Sequence, residues 1–108
     1  MKIITLCGSM KFQNEMTAIA EKMALQGDCV LTPLTPARAD RRDYTQEELA
    51  VLGQMHREKI KLSDAILVVN VNGYIGSSTT REIEYARSLH KEILYYTDWI
   101  NESCREED

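Results

Sequence analysis

Glu82 is the carboxylate around which the chemistry-bearing residues of this chain gather. It follows Gly73, Tyr74, Gly76 and four successive hydroxyl residues, Ser77, Ser78, Thr79 and Thr80. Glycine lets backbone approach a ligand closely, and a helix start leaves unpaired amides in a field that favours negative charge. A hydroxyl-rich turn opening a helix therefore suits a phosphate or a sugar, and the first helical turn would present Glu82 to the same ligand. A carboxylate in that place serves as nucleophile or general base. The spacing Thr79-x-x-Glu82 also fits a capping box, in which Glu82 would only bond the Thr79 amide. Its position four and seven residues before Ala86 and Leu89 turns it toward a packed helix face instead, whereas Glu84 points to solvent.

Four further groups are candidates. Gly8-Ser9 closes the first apolar run, where serine either caps the next helix or touches a ligand. His56 lies on an apolar helical stripe between Leu52 and Ile60, which fits either a core histidine or a second catalytic group. Tyr74 and Tyr44 stand in loops where a ring can stack on a base. Asp64 directly precedes a strand and is read as a turn or cap residue at the opposite edge. Met16, Met23 and Met55 are read as core. Neither Gly-x-Gly-x-x-Gly nor a Walker loop occurs.

Elements that alternate in type have to position these residues. Strands are expected at Lys2–Cys7, Cys29–Thr32, Ala65–Asn70 and Glu92–Tyr96, and helices at 11–26, from Thr45 to about Leu62, and Thr79–Leu89. Gly27 reads as a helix C-cap, and Thr45-Gln-Glu-Glu48 as a capping box. The segment Thr35–Thr45 is polar without period and is expected as a loop over the site. Alternating strands and helices predict an α/β fold: a Rossmann-like three-layer sandwich on a parallel sheet of four strands, with a fifth as a variant. Sites in such sheets lie beyond the carboxyl ends of strands, here at Gly8-Ser9, 33–35 and 70–78.

With 108 residues, the chain is read as one domain over 1–108, with 98–108 as a tail. A net charge of −4 argues against non-specific nucleic-acid binding, which needs Lys and Arg to neutralise phosphates. No apolar run has membrane-spanning length, and the first strand is too short for a signal peptide. Three cysteines, Cys7, Cys29 and Cys104, without Cys-x-x-Cys or His spacing, fit reduced thiols in the cytoplasm and predict no metal site or other cofactor. The short chain, the open fourth edge strand and the apolar Trp99 and Ile100 predict a homo-oligomer, with a dimer favoured.

Together, Cys7-Gly8-Ser9, Asp64–Asn70 and Gly76–Ala86 followed by Lys91-Glu-Ile resemble the nucleoside 2-deoxyribosyltransferase superfamily, including its small 2'-deoxynucleoside 5'-phosphate N-hydrolase branch. The resemblance runs from Ile3 to about Tyr96. It implies a nucleoside or nucleotide substrate, cleaved at its N-glycosidic bond after attack by Glu82. It also implies that Gly8 and Ser9 line the sugar or phosphate end and that Ser77 and Ser78 hold a 5'-phosphate. The family carries a catalytic aspartate in the helix before the third strand; this chain has His56 at the corresponding distance. The alternative is a nucleotide- or nucleotide-sugar-binding module without catalysis.

Overall fold

A computed structural model describes residues 1–99. Four apolar runs form strands: β1 (Ile3–Cys7), β2 (Cys29–Leu31), β3 (Ala65–Val68) and β4 (Glu92–Tyr95). They pair in parallel in the order β2-β1-β3-β4. Parallel neighbours need crossovers, which α1 (Gln13–Leu25), α2 (Gln46–Leu62) and α3 (Ser77–Ser88) supply. Strand alternation divides the core. Ile4, Leu6, Leu67 and Val69 meet Met16, Ile19 and Met23 of α1, while Cys7, Ile66 and Val68 meet Ile60 of α2 and Ile83 and Ala86 of α3. Every residue of β3 is buried, as a central strand covered on both faces requires. The outcome is the expected three-layer α/β sandwich, with four strands among the described residues.

Local chemistry sets the element ends. Gly27, at φ 100°, terminates α1, with Gly27 N–H donating to Ala24 O at 3.0 Å and Asp28 N–H to Met23 O at 3.1 Å. At α2 the capping box forms in both directions: Glu48 N–H donates to Thr45 Oγ1 at 3.0 Å and Thr45 N–H to Glu48 Oε1 at 2.8 Å. Asp64 accepts the Ile3 amide at 2.8 Å at the amino edge of the sheet, the structural role expected of it.

Three expectations need correction. Met55 is 48% exposed, because the buried side of α2 runs through His56, Ile60 and Ser63. The polar loop contains a 3-10 turn, Arg41–Asp43, held by reciprocal bonds between Asp40 and Asp43. Trp99 packs within its own chain, beside Tyr96 and beneath the Lys22 ammonium 5.1 Å from its ring centre, and so is not a free tail residue. Ile100 and the charged end from Glu102 to Asp108 lie outside the described residues. No helix among those residues is long and apolar enough to cross a membrane.

The loop is fastened to α2 by Arg38, which donates to Glu48 at 2.9 Å and lies over the Tyr44 ring. This bond, with the Thr45 amide, lowers the Glu48 pKa from 4.5 to about 2. A depressed carboxyl pKa stabilises the fold fully above the unfolded value, and that contribution is lost as pH falls from 4.5 through about 2. Arg38→Ala is expected to return the Glu48 carboxyl toward its ordinary value, with the change read by NMR titration.

Candidate functional site

The length of α2 decides where His56 sits. At 17 residues the helix spans about 25 Å, against about 13–17 Å for strands of this size. It runs antiparallel to the strands, so its first turns overhang the carboxyl edge and its middle is level with the strand ends. His56 thereby comes within reach of Cys7, the last residue of β1, although a histidine in mid-helix is expected farther from that edge. A polar network fixes this register one turn away. Thr5 Oγ1 donates to Lys59 O at 3.1 Å and contacts Ser63 Oγ, and Ser63 Oγ donates to Lys59 O at 2.8 Å.

Glu82 arrives from the other helix. α3 begins at Ser77 with Gly76 as its N-cap, two residues earlier than the hydroxyl pattern predicts. Glu82 therefore lies in the second turn rather than the first. Thr79 is buried inside the helix, so no Thr79–Glu82 capping box forms and the carboxylate is free to face the sheet. Its Oε1 lies 3.5 Å from His56 Nε2. Glu84 is exposed, as expected.

Cys7 completes the cluster. Its Sγ lies 3.6 Å from the same imidazole nitrogen. Burial pushes the Cys7 thiol well above its ordinary pKa, and the nearby charge of Glu82 acts in the same direction. Cys7 is consequently a protonated donor between two polar groups. The Glu82 and His56 side chains keep 23% and 12% of their surface, so the carboxylate is the more open to a ligand. His56 Nδ1 is buried and has no hydrogen-bond partner among the described residues. Cys7 carried no signal of its own as a single strand cysteine; only its place at the carboxyl end of an alternating strand pointed toward the site.

The remaining candidates surround this cluster with more structural roles. A Cβ on Gly8 would sit 3.2 Å from both Cβ and O of Val69, so tight backbone packing requires the glycine. Ser9 caps the following turn by accepting the Lys11 amide at 3.3 Å. Tyr74 packs edge-on to Phe12, centroids 5.9 Å apart, and the Lys11 ammonium covers its ring at 3.3 Å. These contacts tie the turn after β1 to the loop after β3, as their common sheet edge demands. Ser77 and Ser78 are exposed on the first turn of α3, where no side chain caps the helix, and Arg81 donates to Ser78 Oγ at 3.3 Å. Tyr44 accepts the Arg38 amide at 3.3 Å through its hydroxyl.

Two surface hollows lie elsewhere on the described residues. One lies between Met10, Gln13, Thr17, Pro33 and Thr35; the other lies over Tyr44, Val51 and Leu52. Neither is lined by Glu82 or His56. Comparison with models of known families, curated protein sequences and solved structures yields no match.

The Gly8 packing carries a prediction. Gly8→Ala forces Val69 or the turn itself to shift and is expected to cost about 1–3 kcal/mol. Urea denaturation measures the loss.

Proposed function

We propose that the protein cleaves the N-glycosidic bond of a nucleoside or nucleoside 5'-monophosphate, by hydrolysis or 2-deoxyribosyl transfer, with Glu82 as nucleophile. The observation that carries this reading is the approach of Glu82 to His56 at the carboxyl edge of a parallel sheet. In the first step a Glu82 oxygen bonds to the anomeric carbon as the carbon–nitrogen bond breaks and its electron pair leaves with the base. Protonated His56 supplies the proton that the base acquires. In the second step water, or another base, gives a proton to His56 as it attacks the same carbon, and the ester bond to Glu82 breaks to free the carboxylate.

The transition state is oxocarbenium-like, and a carboxylate beneath it stabilises the positive charge. Cys7 serves as a positioning residue: its Sγ, 3.6 Å from His56 Nε2, holds the imidazole beside Glu82. The start of α3, with Ser77 and Ser78 exposed and no side-chain cap, supports phosphate binding.

Chromatography of free base from a panel of nucleosides and nucleoside monophosphates tests the activity. Glu82→Ala is expected to lower kcat by at least about 1,000-fold while leaving ligand affinity close to that of the wild type. His56→Asn is expected to lower it by about 100- to 10,000-fold and to change the pH–rate profile of the folded enzyme. Saturable nucleotide binding without base release would instead establish a binding module.

A second copy of the chain is the proposed missing wall, because the Glu82 side chain keeps 23% of its surface. The outer side of α2 supports this, with Val51 56% and Met55 48% exposed on the helix that carries His56. Light scattering over a wide dilution range is expected to give a dimer, and Val51→Glu to shift it toward monomer. A fully active wild-type monomer would remove the second copy from the site.

A further inference from the structure

We propose that Cys7, His56 and Glu82 form an exchangeable zinc site. Their ligand atoms lie within 4.8 Å of one another and come from three separate elements, β1, α2 and α3. The distances from His56 Nε2 to Cys7 Sγ and Glu82 Oε1 are 3.6 and 3.5 Å. A tetrahedral zinc with ordinary bond lengths places sulfur and nitrogen ligands about 3.5 Å apart, and nitrogen and oxygen ligands about 3.3 Å apart. These two spacings match that geometry, and the third pair, Cys7 Sγ and the Glu82 carboxylate, lies within 4.8 Å and closes on the ion by rotation of the Glu82 side chain. The elements that hold these atoms are fixed by the core, so the ligand set is substantially preformed.

The ligand chemistry is balanced. Zinc forms a bond to Cys7 sulfur as the S–H bond breaks, and the proton passes to solvent. His56 contributes the Nε2 lone pair with its own proton on Nδ1, and Glu82 contributes one oxygen. One thiolate and one carboxylate neutralise the ion, which suits a largely buried position, and water fills the fourth place. Resident zinc sites normally hydrogen-bond the second nitrogen of a ligating histidine. Among the described residues Nδ1 has no such partner, which weakens the hold on the metal and favours exchange. Zinc occupies the oxygen that would attack the sugar, so the loaded protein is held inactive. That regulatory consequence rests on the proposed function; metal binding itself does not.

Cobalt(II) titration of the metal-free full-length protein tests the site through its absorption spectrum. The expected result is a near-ultraviolet thiolate-to-cobalt band with visible bands of tetrahedral intensity, all removed by one equivalent of zinc. Cys7→Ser and Cys7→Ala are expected to lose the thiolate band, whereas Cys29→Ser and Cys104→Ser keep it. Glu82→Gln is expected to retain the band with affinity weaker by about 100-fold or more, since even loss of an outer partner costs 10–100-fold. Circular dichroism establishes folding, and His56→Gln provides an independent disruption if the Cys7 variants unfold. Absence of the band in folded wild type, or a band that persists in folded Cys7→Ser, overturns the site. Cobalt binding without base release by metal-free protein retains the site and removes the nucleophile assignment. Base release that zinc does not inhibit, in protein that shows the cobalt band, overturns the proposed inhibition and retains the site.

Discussion

A carboxylate and an imidazole held together against the apolar face of a parallel sheet impose the main constraint on this molecule. Each is poorly solvated there, so their separation has to be controlled by the elements that carry them. α2 does this through register: the Thr5–Lys59–Ser63 network fixes the helix one turn below His56, and the Lys59 ammonium donates to Thr32 O at 2.8 Å. α3 does it through Ile83 and Ala86, whose burial aims the neighbouring Glu82 at the same point. A shift of α2 by one turn would move the imidazole by about 5 Å and separate the pair. The polar network in an otherwise apolar layer therefore connects core packing directly to the spacing of the site.

Much of this arrangement was legible in the residues themselves. The apolar runs, Gly27 and the Thr45–Glu48 box define strands and helix ends by local chemistry, and alternation of the elements implies the parallel sheet. The turning of Glu82 toward the packed side follows from its spacing to Ala86. The start of α3 was less legible, because four hydroxyl residues offer several caps and the chain uses the Gly76 backbone with none of those side chains. The distance from His56 to Cys7 was not legible at all: it depends on how far a long helix overhangs short strands, and periodicity carries no information about that offset. The same offset hides the three-element ligand set, which has no spacing signature along the chain.

The site combines a preformed interior with an open exterior. Cys7, His56 and Glu82 are fixed by core elements, while the polar loop is a surface structure held by exposed ion pairs and caps, and the first turn of α3 is exposed without a side-chain cap. This division suits a protein in which the reacting atoms are positioned before binding and the substrate is enclosed by a loop or a second chain. Under the proposed function and the proposed zinc site, metal and sugar would compete for one carboxylate.

Covalent capture on Glu82 tests the central claim most directly. A nucleotide analogue fluorinated at C2' destabilises the oxocarbenium-like transition states and, with a good leaving group, lets a glycosyl ester accumulate. Trypsin, cutting after Arg81 and Arg87, isolates the segment from Glu82 to Arg87. Mass spectrometry with fragmentation is then predicted to place the sugar phosphate on Glu82 rather than Glu84. An unmodified Glu82 in protein that releases base from the unfluorinated nucleotide, or an adduct confined to another residue, would contradict the assignment of Glu82 as the nucleophile.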